Sequence, residues 1–171
     1  MALSQVFVTV GTTKFDELID KIQSKEILKI LKSKGCKKLI IQHGNGDIKP
    51  NITESGLTVH SYDYKSSISE DIESSDLVIA HAGAGTSLEV LEAGKLLITV
   101  VNQSLMDNHQ LELAQKFHEL GYSLYCVPDD LVKTVESLTP QRIQRFVPFP
   151  PSQAYKFNDY LEHVLGFDKV K

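Results

Sequence analysis

Asp76-Leu77-Val78-Ile79-Ala80-His81-Ala82-Gly83-Ala84-Gly85-Thr86-Ser87-Leu88-Glu89 reads as a buried strand that breaks into a glycine-rich turn opening directly onto a helix. Such a junction makes an anion site. Gly83 and Gly85 let the backbone approach a ligand closely, and the free N–H groups and positive dipole end of the following helix face whatever sits there. A phosphate or diphosphate is the natural guest.

The same alternation continues outward along the chain, so the sequence predicts an α/β fold with a doubly wound, mainly parallel, Rossmann-like sheet. Strands are expected at 6–10, 38–42, 57–62, 76–80, 96–101 and 123–126. Several are continuous apolar runs, as expected of strands covered on both faces. Helices are expected at 15–22, 26–34, 65–75, 86–93, 108–120 and 131–138, with Gly35, Gly94 and Gly121 as C-terminal stops. Residues 1–139 are expected to form one Rossmann-like, ligand-binding domain. From 140 to 171 the pattern changes: Phe146-Val147-Pro148-Phe149-Pro150-Pro151 reads as an extended crossing segment. A final helix over 153–165 carries an aromatic-rich face that packs at home or meets a partner.

Composition narrows the function classes. A chain of 171 residues, 42% hydrophobic and 23% charged, is large enough for one domain with a real core. Its net charge of -4, without a strong basic patch, argues against nucleic-acid binding. Lys25, Lys29 and Lys32 alternate with Ile27, Leu28, Ile30 and Leu31, the pattern of an amphipathic helix with a solvated basic face. Weak attraction to an anionic membrane is the competing reading. Cys36 and Cys126 are far apart and in no metal-ligand spacing. No signal peptide or membrane span is evident, which points to the cytoplasm and leaves the sequons at Asn51 and Asn102 as chance matches.

In a doubly wound sheet, ligands bind beyond the carboxyl ends of the strands. Four loops meet there. Gly11-Thr12-Thr13 follows the first strand; its hydroxyls face a phosphate or cap the next helix, and the two roles are compatible. Gln42-His43-Gly44-Asn45-Gly46-Asp47 is read as a turn. In the third loop, Thr86 and Glu89 match a capping box, which competes with Glu89 accepting ribose hydroxyls. His81 is either a buried core histidine or a ligand contact. The fourth loop, 102–110, ends in Asn108, His109 and Gln110, suited to reading sugar hydroxyls, although Asp107 or Asn108 as an N-cap explains part of it.

No Gly-x-Gly-x-x-Gly follows the first strand, and neither a Walker A sequence nor an Asp-x-Asp clamp is present. Metal-free, cofactor-free handling of a diphosphate is the simpler expectation. At 81–89, at Gly94-Lys95 and at Asp107-Asn108-His109-Gln110-Leu111-Glu112-Leu113-Ala114, the chain resembles the donor half of a family-28, GT-B glycosyltransferase. Within that family it is similar to the eukaryotic two-protein transferases that add the second GlcNAc to dolichyl-diphosphate-GlcNAc.

The resemblance implies that His81, Ala82, Gly83, Ala84, Gly85 and Thr86 hold the UDP diphosphate of UDP-GlcNAc, Glu89 the ribose, and His109 with Gln110 the GlcNAc hydroxyls, with Asn108 beside them. Gly11, Thr12 and Thr13 would close on the phosphate, and the chain from Tyr62 to Lys65 would pass near the uracil. A complete GT-B enzyme has two such domains, so the acceptor half is expected on a membrane-anchored partner subunit at the cytosolic face of the endoplasmic reticulum. The lipid-diphosphate-GlcNAc acceptor, inversion to a β1,4 linkage and docking through the C-terminal helix follow from the same resemblance. The general base stays unassigned. Two alternatives remain: a non-catalytic UDP-sugar-binding adapter, and an epimerase-like UDP-GlcNAc enzyme.

Overall fold

Five of the six strands are buried along nearly their whole length, and all six pair in parallel into one sheet. The computed structural model describes residues 3–52, 56–103 and 108–151. In chain order the strands are β1 (Gln5–Thr9), β2 (Lys38–Gln42), β3 (Thr58–Tyr62), β4 (Leu77–His81), β5 (Leu96–Val100) and β6 (Leu124–Cys126). In space they run β3-β2-β1-β4-β5-β6. The helices are α1 (Asp16–Ile22), α2 (Lys25–Ser33), α3 (Ser69–Glu73), α4 (Ala84–Glu92), α5 (Asn108–Glu119), α6 (Leu131–Glu136) and α7 (Pro140–Ile143).

Side chains alternate across a strand, so β1 feeds two cores. Val6 and Val8 join Leu39 and Ile41 of β2 on one face, under α1, α2 and α6. Phe7 joins Ile40 and Val78 on the other, under Ile72 of α3, Val90 of α4 and Phe117 of α5. A fully buried side chain of this kind contributes about 1.5–3 kcal/mol. Covering on both faces is why these strands read as unbroken apolar runs. Strand β3, at the sheet edge, is the exception: its residues are exposed or half-buried.

The chain starts in the middle of the sheet, builds outward to β3, then returns to β4 on the other side of β1. That reversal opens a crevice between the carboxyl ends of β1 and β4. The decisive 76–89 stretch therefore ends at the topological switch point.

Strand bounds agree with expectation to within one residue, whereas helix bounds shift by up to four. The helix expected over 65–75 shrinks to Ser69–Glu73, because 64–68 forms a loop tied down by side chains. The helix expected from Thr86 begins at Ala84. Helix α2 matches the amphipathic reading, with Ile27, Leu28 and Leu31 buried and Lys25, Lys29 and Lys32 exposed. Its Ser24 cap accepts a hydrogen bond from the Ile27 N–H at 3.4 Å. Gly35, Gly94 and Gly121 follow helices with positive φ, as expected of stops.

Beyond α6, Thr139 caps α7 by accepting from the Arg142 N–H (3.2 Å). Ile143 and Phe146 then pack on the first core. The Val147 N–H donates to the Gly121 carbonyl (2.9 Å), and Phe149 meets Tyr122 and Phe117 edge-on at 5.1 and 6.0 Å. The extended segment thus crosses from one face of the sheet to the other. The helix expected over 153–165 lies outside the described residues. Among the described residues no helix is long and apolar enough to cross a membrane.

Candidate functional site

The ends of β1 and β4 close around one imidazole. Gly11 has φ +60°, a left-handed conformation that suits glycine, and a Cβ there would lie 2.5 Å from His81 Cε1. A Cβ on Gly83 would collide with His81 Nε2 from the other side. Only glycines fit the two flanks of this ring. His81 is 9% exposed, and its Nδ1 is buried without a hydrogen-bond partner. Burial holds the imidazole below its ordinary range; the Thr9 backbone pulls the other way without completing a bond to Nδ1. The ring is therefore neutral near pH 7.

Beneath Gly11, buried Thr9 donates its hydroxyl to Gln42 Oε1 and accepts from the Gly11 N–H at 3.0 Å. This pair fixes the first loop against β2. Thr12 lines the crevice, whereas Thr13 turns its hydroxyl back to the Val10 carbonyl (2.7 Å). The helix after this loop starts at Asp16 with Phe15 at its cap position and no side-chain cap, so neither threonine caps it.

Helix α4 starts on Gly83, which has no side chain to cap it, and no acidic residue stands in its first turn. The capping box expected of Thr86 and Glu89 does not form, because the N-cap is Gly83, three residues too early for that spacing. Ser87 instead bonds back to the Gly83 carbonyl through its N–H (3.0 Å) and its hydroxyl (2.8 Å). The first-turn amides are left to the crevice. A Cβ on Gly85 would meet nothing within 4 Å, so open space lies over that turn.

The crevice holds about 370 Å³ and is bounded by Gly11, Thr12, Gly83, Gly85, Thr86 and Glu89 on one side and by the 64–68 loop on the other. Glu89 is half-buried and accepts a hydrogen bond from the Ser69 hydroxyl at 2.7 Å. Ser69 in turn receives the Ser67 hydroxyl (3.0 Å). The loop wall is anchored at Asp71, buried at 7% exposure, which accepts from the Tyr62 hydroxyl and from Lys65 Nζ (2.8 Å). The Lys65 ammonium also sits 4.4 Å from the Tyr62 ring centre. Burial and the bond to Asp71 push the Tyr62 phenol well above its ordinary range. Tyr64, 63% exposed, stands on the rim.

Gly11, Thr12, His81, Gly83, Gly85, Thr86 and Glu89 thus come together at one crevice. Ala82 is buried against Val101 and Ala114, so only its backbone belongs to the turn, and Ala84 is exposed at the first helical position. Asn108, His109 and Gln110 open α5; Gln110 is half-buried, and the Asn108 and His109 side chains lie outside the described residues, as does the 104–107 loop. The 42–47 loop is a turn with a packing reason. A Cβ at Gly46 would strike the Asp16 carboxylate, which accepts from the Ile48 N–H (3.0 Å).

Sequence reasoning missed Ser69, Asp71 and the Thr9–Gln42 pair. Thr9 is 33 residues from Gln42, and Ser69 is 20 from Glu89, so no local spacing marks either contact.

Residues 5–163 match the model of the glycosyltransferase family 28 C-terminal domain. The UDP-N-acetylglucosamine transferase subunit ALG13 of Mus musculus is 49% identical over 126 residues, covering 72% of this chain and 11% of the mouse protein. The chain thus spans about a ninth of that relative's length. ALG13 of Saccharomyces cerevisiae is 32% identical, with 94% of this chain and 95% of the yeast protein covered. A solution structure of ALG13 superposes with a TM-score of 0.67 at 31% identity, over 94% of this chain and 96% of that one. The fold, the crevice at its switch point and these likenesses agree: the chain belongs to the family of glycosyltransferase family 28 C-terminal domains.

Proposed function

We propose that the chain is the donor-binding subunit of an inverting N-acetylglucosaminyltransferase that uses UDP-GlcNAc. The observation that carries this reading is the uncapped first turn of α4, facing a crevice with open space above Gly85. Its amides and dipole suit a diphosphate. On this reading Glu89, one turn further along α4 and hydrogen-bonded by Ser69, accepts the ribose hydroxyls. The loop from Tyr62 to Lys65 offers a wall for the uracil, and Asn108, His109 and Gln110 are assigned to the sugar. Relatives named as subunits support a second chain that supplies the acceptor side.

The reaction is attack by the O4 of dolichyl-diphosphate-GlcNAc on the anomeric carbon of the donor. The C1–O bond to UDP breaks as the new β1,4 bond forms, and the acceptor proton passes to a base that this chain does not identify. Negative charge grows on the departing diphosphate, where preorganised N–H donors stabilise it. A membrane-anchored partner would bring the complex to the cytosolic face of the endoplasmic reticulum, where the lipid acceptor lies.

The test is co-expression with a membrane-anchored acceptor-binding subunit, following transfer from UDP-GlcNAc to a lipid-diphosphate GlcNAc. Transfer by the pair and none by either chain alone is expected. Full transfer by the isolated chain, or UDP binding untouched by Glu89→Ala, refutes the reading.

A further inference from the structure

A second cavity, about 530 Å³, lies at the other end of the sheet, between the last turn of α5, the start of β6, and α7. The chain has two arginines, Arg142 and Arg145, and both line it. Both are exposed, and neither has an ion-pair partner among the described residues. Two guanidiniums three residues apart, with no carboxylate among the lining residues, make this cavity a positively charged one.

Ser123 lines the same cavity at 1% exposure, and its hydroxyl is buried with no hydrogen-bond partner. A stranded buried hydroxyl is costly, so such groups are scarce in folded proteins. His118 completes the lining. Its Nδ1 lies 3.0 Å from the Ser123 carbonyl, a bond that places a proton on Nδ1 and leaves Nε2 free.

The geometry points to a second anion site that binds a phosphate ester through Arg142 and Arg145, above the buried Ser123. Guanidinium forks match phosphate oxygens in pairs, which favours this anion over a halide. A phospholipid headgroup and a soluble phosphate ester share this chemistry. Nothing in this assignment depends on the donor crevice, which opens at the opposite ends of the strands.

With two arginines in the chain, the guanidinium Nε–H region of an NMR spectrum of the full protein holds two signals to follow. Inorganic phosphate should shift both, together with the Ser123 amide, in a saturable way. In the Arg142→Gln/Arg145→Gln variant, whose substituted side chains are exposed, the Ser123 response should weaken by roughly tenfold or more. Its UDP affinity should equal that of the wild type. Phosphatidylcholine vesicles with and without phosphatidic acid separate the two sources. Sedimentation only with phosphatidic acid, lost in the variant, assigns the lipid; phosphate shifts without sedimentation assign a soluble ester. Absence of both responses, a Ser123 shift unchanged in the variant, or a variant that loses UDP binding as well overturns the site.

Discussion

Alanine at Gly83 and alanine at Gly85, two positions apart, should separate folding from binding. At Gly83 the backbone conformation is ordinary, with φ -77°, so the whole cost is steric. The new Cβ would press on His81 Nε2, and the ring cannot retreat toward Gly11, which closes its other flank. Forcing a methyl group into a packed site costs about 1–3 kcal/mol. At Gly85 the Cβ enters open space inside a helix, where alanine is favoured over glycine by about 0.5–1 kcal/mol. The two variants should therefore differ by about 1.5–4 kcal/mol in stability, with Gly85→Ala at or above wild type. At about 2–4 °C per kcal/mol for a chain of this size, thermal unfolding followed by circular dichroism resolves them. Calorimetric titration with UDP should give the opposite order for Gly85→Ala. Its methyl group stands over the first-turn amides and should cost roughly tenfold or more in affinity, as one charged hydrogen bond is lost. A Gly85→Ala protein that is clearly less stable than wild type, or that binds UDP unchanged, would refute the reasoning. So would a Gly83→Ala protein with wild-type stability.

Three further outcomes follow from the same crevice. Glu89→Ala should raise the KM for UDP-GlcNAc by about tenfold or more while the protein stays folded, and Ser69→Ala should raise it less, since it frees the carboxylate without removing it; steady-state kinetics of the assembled transferase reads both. Asp71→Ala strands the Tyr62 hydroxyl and releases Lys65, which is 44% exposed and so adds little, for a total loss of about 1–3 kcal/mol in urea unfolding; a smaller loss than Tyr62→Phe would count against the anchor. For His81, the folded pKa lies below the unfolded value of 6.5, so the unfolded chain binds the proton more readily. Its contribution is complete above pH 6.5 and is lost as pH falls below it. The drop in urea midpoint between pH 7.5 and 5.5 should be smaller in His81→Gln than in wild type, and an equal drop would sink the assignment.

Much of this architecture was legible because burial on both faces leaves an unmistakable trace. Val78-Ile79-Ala80 and Leu39-Ile40-Ile41 have no polar side, and that alone marks them as inner strands of a parallel sheet. The glycine turn at 83–85 was equally readable, since strand, glycine and helix follow one another without a gap. What escaped is what depends on strand order. No local pattern says that β4 returns beside β1, so the pairing of Gly11 with Gly83 around His81 had no signature. The 65–75 region misled for a different reason. Ser67 bonds locally to Ser69, Ser69 reaches across to Glu89, and both bonds compete with the helix that the apolar spacing suggested. Thr86 and Glu89 carried the right spacing for a cap in the wrong register, because Gly83 can end a strand and begin a helix with no side chain at all.

On the proposed reading, the end of the crevice that takes the phosphates is built from backbone: the amides after Gly83, with glycines where a side chain would intrude. Backbone has no chemistry for a point mutation to alter. On the proposed reading, evolution can break this grip but cannot retune it, and any drift in donor preference has to be written elsewhere. The 64–68 wall and Glu89 are side-chain features and can vary without disturbing the amides. A lineage could thus change which nucleotide sugar it accepts while inheriting the same diphosphate cradle intact, which separates the adaptable half of the site from the half that is fixed by topology.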